Sequence, residues 1–559
     1  MKRLLMFLVM LITLSFVLRA DNGFAPPFIN SKSERWADSM LSALSQEEKI
    51  AQLIMVAAWS NKDSAHIKEV ESLINDWHIG GLIFFQGGPV RQALLTNHYQ
   101  SISKTPLLIG IDGEWGVSMR LDSTIRYPRQ MTLAANPDDS AVYRMGRQIA
   151  RECKRLGVHI NFAPVADINS NPENPVIGSR SFGDDRENVT LRSLMYMKGM
   201  QDHGIMASGK HFPGHGDADM DSHHTLPLIR RTREAMDTVE LYPFKKLIDQ
   251  GLSSMMVAHL RIPSLDPGTN FPSTLSKAII TDLLKQQMDF RGLVFTDALN
   301  MKAVSETYKP GTVECLALLA GNDILLYSED VPKAIRKIQE AVMEGKISQE
   351  EIDRRVKKVL MAKHWSGLDS FEPIDTTDLI SDLNSPDAYF LQQELYEHSI
   401  TILKNENGIL PLKNLEKSRI AFVSVGALKN NDFQSALSEH IRGDLYSIEK
   451  DAPSSAFQSL LDFLRNYDLV ILSLHGTTMR VQSGYGITDK SRQFIESVLR
   501  SYKTVFVDFG NPYSLSRFRS LEKATAVILG YEDFKAPMVA AAQLISGATT
   551  TDARLPVAV

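Results

Sequence analysis

The sequence predicts an α/β fold: a (β/α)8 TIM-type barrel followed by a smaller three-layer α/β sandwich domain. Three observations point there. Across positions 35–367, eight short and nearly unbroken apolar runs alternate with amphipathic stretches. Those runs show little polar alternation, as expected of parallel strands buried on both faces. A second, shorter alternation of the same kind follows a polar, Pro-containing linker.

In chain order, Lys2 and Arg3 precede an apolar run from Leu4 to Leu18. That run is shorter than the roughly 20 residues of a transmembrane helix, and a basic start before a short apolar core reads as a secretory signal over 1–20. The predicted barrel strands are Ile50–Ala57, Ile79–Phe85, Leu107–Asp112, His159–Asp167, Ala207–Phe212, Ser254–Leu260, Gly292–Asp297 and Asp323–Tyr327. Helical spacing recurs between them, as in Ile67, Val70, Leu73, Ile74 and Trp77. Ser276 is a suitable N-cap for the stretch holding Ile279 and Leu283. The linker is placed at 368–390 and the second domain at 391–559. Its strand candidates are Ile400–Leu403, Ile420–Val425, Leu469–Leu474, Thr504–Phe509 and Ala526–Leu529, with helices near Ala456–Leu464 and Ser491–Leu499.

Composition narrows the function. Lys and Arg number 61 against 66 Asp and Glu, a net charge of −5, so nucleic acid is not expected as a partner. Two cysteines, Cys153 and Cys315, exclude a disulfide scaffold and a cysteine-rich metal cage; both are expected to be free, buried thiols. No stable membrane insertion is expected after signal cleavage, which places the body of the protein outside the cytoplasm.

In such a barrel, polar residues at strand C-termini converge on one mouth. Here Asp112 and Glu114 follow strand three, Asp167 ends strand four, Lys210 and His211 lie on strand five, His259 on strand six and Asp297 ends strand seven. Carboxylates facing basic groups in one mouth suit hydroxyl-rich ligands and acid–base chemistry. The densest segment, Gly209–Pro227, holds His211, His215, His223 and His224. It contains neither HExxH nor HxH, and its Gly and Pro residues imply a loop, so no metal is expected and no cofactor is called for. Asp221-Ser222-His223 lets a carboxylate hold one imidazole nitrogen while the other moves a proton.

Lys210-His-Phe-Pro-Gly-His-Gly-Asp-Ala-Asp-Met-Asp-Ser-His223 closely resembles the K-H-F-x-G-H-G-x-x-x-x-D-S-H signature of glycoside hydrolase family 3, in its β-N-acetylglucosaminidase branch. Ile111–Gly116 with Arg120, Ile177–Gly183, Met256–His259, Phe271–Ser276 and Phe295–Met301 resemble further segments of that family. In the second half, Ile400–Glu406, Leu410–Leu412, Gly510–Tyr513 and Leu555–Val557 do the same. The resemblance implies a retaining exo-β-N-acetylglucosaminidase that hydrolyses non-reducing terminal GlcNAc from peptidoglycan fragments or chitin-type oligosaccharides. It implies Asp297 as nucleophile and His223, oriented by Asp221, as acid/base. Asp112, Arg180, Lys210 and His211 are implied to bind the sugar. Arg120 is either a ligand contact or a partner of Asp112 or Glu114. His215 and Asp217 shape the loop, and His259 is structural. Trp115 stands where the family commonly has a small residue, and is expected to narrow the mouth or stack on sugar. The second domain is implied to be a packing partner or aglycone wall, not an acid donor. A β-N-acetylglucosaminide phosphorylase, a β-glucosidase or xylosidase, and a non-catalytic carbohydrate-binding protein are the competing readings.

Overall fold

The computed structural model describes residues 24–413, 415 and 417–559. The predicted signal over 1–20 lies outside them. Eight parallel strands come first: β1 Ile54–Ala58, β2 Gly81–Phe84, β3 Leu108–Ile111, β4 Ile160–Asn161, β5 Met206–Phe212, β6 Ser254–Val257, β7 Leu293–Thr296 and β8 Leu325–Leu326. They neighbour one another in chain order, with β8 beside β1. β7 meets β8 through a Phe295–Ile324 bridge and a hydrogen bond from Leu326 N to Thr296 Oγ1 at 2.9 Å, which brings the sheet round on itself. Phe162 and Phe295 meet edge to face inside it, ring centres 5.2 Å apart. Position 110 must be glycine there, because a Cβ would sit 2.8 Å from the Phe162 ring.

Two runs fold differently from the reading above. Ile50 and Ala51 belong to the helix Gln46–Ala51, not to β1. Ser45 and Glu48 cap that helix reciprocally: Glu48 N donates to Ser45 Oγ at 3.2 Å and Ser45 N to Glu48 Oε2 at 2.9 Å. β4 holds only two residues of its predicted nine, since Pro164 lacks an N–H for the ladder and Val165 pairs with the Gln130 amide instead.

After the barrel, residues 371–376 lie against it: the Asn97 side chain exchanges two hydrogen bonds with the Ile374 backbone. The second sheet comprises β9 Thr401–Asn405, β10 Ile420–Val425, β11 Asp444–Ile448, β12 Leu469–Leu474, β13 Thr504–Asp508 and β14 Ala526–Leu529, ordered β11-β10-β12-β13-β14-β9. Only β9 is antiparallel to its neighbour. Alternate residues feed two separate cores. Ala421, Val423, Val470 and Leu472 pack toward helices Ser454–Leu464 and Asp489–Ser501. Ile420, Phe422, Leu469 and Ile471 pack toward Asp432–Ser438 and Lys535–Ser546. That period of two is what a three-layer sandwich requires. Strand β11 has no counterpart among the predicted runs, because it is an edge strand with a mostly uncovered burial pattern.

Both cysteines are free. Cys153 is buried, but Cys315 is only half-buried, which corrects the expectation for it. The helix Thr312–Ala320 turns Val313, Glu314, Ala317 and Leu318 inward, and position 315 falls at the edge of that face. Among the described residues, no helix is long and apolar enough to cross a membrane.

Candidate active site

The C-terminal ends of the barrel strands open into a cavity of about 630 Å³. Asp112, Glu114, Arg120, Arg180, Lys210, His211, His215, His223 and Asp297 all line it. Every lining residue lies between Ile83 and Tyr327, so the second sheet contributes none.

One side of the cavity is a buried ionic network. Lys210 Nζ lies 2.9 Å from Asp112 Oδ1 and 2.8 Å from Glu114 Oε1. Arg120 Nη2 holds the other Asp112 oxygen at 2.5 Å. Arg180 grips Glu114 with two donors, Nε at 3.0 Å and Nη2 at 2.7 Å. Two cations against each carboxylate offset the cost of burying it. Burial alone would push both carboxyls up. Lys210 and Arg120 outweigh it at Asp112, and Arg180 and Lys210 at Glu114, so both are held well below the usual carboxylate range. An ammonium has three donors, so Lys210 keeps one for the cavity.

A second chain of bonds starts at Asp167. Its Oδ2 accepts from His211 Nδ1 at 2.7 Å, and Oδ1 accepts from His215 N at 2.7 Å. His211 Nε2 faces Arg180 Nη2 at 3.2 Å. Because Arg can only donate, that nitrogen accepts, and His211 carries its hydrogen on Nδ1. His215 Nε2 reaches Ser222 Oγ at 2.9 Å, and Asp217 accepts from Arg231 at 3.0 Å. These two contacts brace the loop between His211 and His224.

On that loop, Asp221 Oδ1 accepts from both His223 Nδ1 at 2.7 Å and His223 N at 2.9 Å. Burial raises the Asp221 carboxyl, but the His223 N–H donors outweigh it and keep it ionised. With Nδ1 engaged, Nε2 is the nitrogen left to exchange a proton. The His223 side chain is 56% exposed, so it reaches solvent as well as the cavity.

Asp297 follows β7. Its Oδ1 accepts from Ala298 N at 2.8 Å. Burial pushes its carboxyl up, and the rings of His259 and His211 together with the Ala298 N–H bring it below the ordinary value. His259 contacts no cavity surface. Its Nε2 donates to Ala298 O at 3.0 Å while Nδ1 lies 2.5 Å from Thr274 Oγ1, which fixes the peptide after Asp297.

Residues 45–362 match the family profile described as the glycosyl hydrolase family 3 N terminal domain. The chain belongs to glycosyl hydrolase family 3. It is a glycoside hydrolase. Among similar family members, a beta-N-acetylglucosaminidase/beta-glucosidase of Cellulomonas fimi is 25% identical over 89% of this chain and 91% of its own. Beta-hexosaminidase A of Pseudoalteromonas piscicida is 28% identical over 88% and 91%. A solved family 3 beta-N-acetylglucosaminidase from Paenibacillus sp. covers 92% of this chain and 99% of its own at 28% identity, TM-score 0.78. A beta-glucoside phosphorylase at 22% identity shares the fold, TM-score 0.81.

In this glycoside hydrolase the structure brings all seven singled-out residues together, although Asp221 stands behind His223 and does not line the cavity. Arg120 is the partner of Asp112. Trp115 does not line the cavity; its ring carries the Arg129 guanidinium at 4.0 Å. The expected narrowing or stacking role is therefore not seen for it. Phe85 and Tyr327 are the aromatic lining residues, and nothing in the sequence signals them, since each reads as the last residue of an apolar strand. Glu114 was visible only as a neighbour of Asp112. Its pairing with Arg180, 66 residues away, is a product of the fold.

Proposed function

We propose that this hydrolase is a retaining exo-β-N-acetylglucosaminidase acting on non-reducing terminal GlcNAc in peptidoglycan fragments or chitin-type oligosaccharides. The observation that carries the reading is the Asp221–His223 pair, held at 2.7 Å on a barrel loop, with His223 lining the same cavity as Asp297. On this reading the acid/base and the nucleophile share one site, to which the second sheet contributes no lining residue.

In this mechanism Asp297 attacks the anomeric carbon as His223 Nε2–H protonates the departing oxygen. A covalent glycosyl-enzyme forms and the aglycone leaves as an alcohol. His223, now neutral, takes a proton from water, which displaces Asp297 and regenerates both groups. Asp221 stabilises the imidazolium and orients the ring. Asp112 accepts from sugar hydroxyls, and the spare Lys210 N–H donates to one. His211 and Arg180 occupy each other, so a hydroxyl that reaches them must insert between them. An imidazole acid also avoids placing a second carboxylate beside an acylamino group. The basic and apolar start of the chain supports an extracytoplasmic location.

The direct test is hydrolysis of paired nitrophenyl glycosides. The GlcNAc glycoside should be turned over with a kcat/KM at least about tenfold above that of the glucoside. Equal or reversed preference sinks the substrate assignment. Added inorganic phosphate should leave the free sugar as product; a sugar phosphate would identify a phosphorylase.

His223→Ala checks the acid/base role. Loss of general acid catalysis costs about 10²–10⁴-fold, and it should fall on alkyl glycosides, whose leaving groups need the proton. Glycosylation from nitrophenyl glycosides, read as a burst, should be far less affected. Equal slowing of alkyl-glycoside turnover and of the nitrophenyl burst would exclude His223 as the acid.

A further inference from the structure

Behind the loop that carries Asp221 and His223 lies a buried carboxyl that the steps above do not use. Glu240 ends the π-helical turn Met236–Glu240 and is 1% exposed. The loop backbone rests on it. A Cβ at Gly214, whose φ is +125°, would come within 2.8 Å of Glu240 Cβ and 3.0 Å of Oε2. Neither Glu240 oxygen has a well-formed hydrogen bond among the described residues. Its cationic neighbour is Arg231, with Nε 3.7 Å from Oε1. The other end of that guanidinium holds the loop, since Arg231 Nη2 is the group bonded to Asp217 Oδ1. Arg231 thus stands between two carboxylates and makes a good bond with one of them. Asp217 in turn neighbours His215, which is tied to Ser222 between the two members of the dyad.

We propose that Glu240 is a positioning residue for the Asp221–His223 dyad: through Arg231 it sets how firmly Asp217 anchors the loop, and its ionisation loosens that anchor. The inference rests on His223 being the acid/base. The charged and titratable groups facing Glu240 are few. Arg231 comes from the segment before the helix, Asp217 from the loop, and Asp167 from the end of the fourth barrel run, with the Ser170 hydroxyl beside it. On its own segment, Asp237 pairs with Arg233 at the surface. His215 is held at about 4, by burial first and then by His211, so it is neutral and supplies no balancing charge. Burial raises the Glu240 carboxyl; Arg231 opposes, Asp167 and Asp217 add to the rise, and the result is about 8. Below that pH, a neutral Glu240 leaves Arg231 to Asp217. Above it, Glu240 becomes a second carboxylate beside one guanidinium and draws it away from Asp217.

The test is the pH dependence of kcat and KM for wild type, Glu240→Gln and Asp217→Asn, each as the full chain, with an alkyl and a nitrophenyl GlcNAc glycoside. Glu240→Gln stays neutral, so its alkaline half-point for kcat on the alkyl glycoside should rise by about one pH unit, while KM and the nitrophenyl burst profile stay in place. Asp217→Asn should lower kcat on the alkyl glycoside about tenfold at neutral pH without raising KM. An alkaline half-point for Glu240→Gln that superimposes on wild type overturns the proposal, as does an equal shift for both leaving groups. If Glu240→Gln does not fold, wild-type kcat in Asp217→Asn overturns it instead. Failure of the His223 reading is seen separately, because His223→Ala would then slow both glycosides alike whatever these two variants do.

Discussion

Asp297→Ala should lower kcat/KM for GlcNAc glycosides by about 10⁴-fold or more, about 5 kcal/mol of transition-state stabilisation. The loss should be the same for nitrophenyl and alkyl leaving groups, because no leaving-group acidity replaces an absent nucleophile. The fold should survive. The Asp297 carboxylate makes one local bond, to Ala298 N, and His259 independently holds the Ala298 carbonyl. Thermal unfolding of the variant should therefore stay close to wild type. Added azide can occupy the space of the missing carboxylate. It should restore turnover and yield a glycosyl azide of inverted configuration, identified by NMR. Wild-type turnover in Asp297→Ala would show the assignment to be wrong.

Lys210→Met should lower stability by about 3–5 kcal/mol, the cost typical of removing one partner from a buried ion pair. Lys210 is 2% exposed and its ammonium is shared by Asp112 and Glu114. Without it each carboxylate keeps a single arginine, and the two negative charges face each other unscreened. The effect depends on pH with a definite sign. Both carboxyls lie below their unfolded values, so the network's stabilisation is present above the ordinary carboxylate range. It is lost as pH falls through the depressed folded values. The gap between Lys210→Met and wild type should therefore be wide at neutral pH and narrow in acid, as measured by unfolding midpoints. Adding Glu114→Gln should recover part of the loss. Strict additivity of the two changes would mean that Lys210 and Glu114 are not coupled.

Most of the barrel was legible because its strands are buried on both faces and read as solid apolar runs. Where local chemistry competes, the runs mislead. Ile50 and Ala51 look like strand, yet the Ser45–Glu48 capping box draws them into a helix. Residues 162–167 look like a continuous strand, yet Pro164 has no N–H to donate to the ladder. Strand β11 was illegible for the opposite reason: at a sheet edge, Asp444–Ile448 need bury little, and no apolar pattern is required.

The sequence by itself determined the family, the two alternations of strand and helix, and the segment Lys210–His223 on which the proposed chemistry rests. Each depends on residue type and short spacing, and these survive without a fold. Asp221 and His223 are two positions apart, so local geometry is enough to pair them. Only the tertiary structure decided the rest. It placed Arg180 on Glu114, Asp167 under His211 and Glu240 beneath Gly214, across 66, 44 and 26 positions respectively. It also took Trp115 out of the cavity and put Phe85 and Tyr327 in it. The physical reason is closure of the barrel. Strands far apart in the chain meet at one mouth, and which charges neutralise one another there depends on distances that no linear spacing encodes.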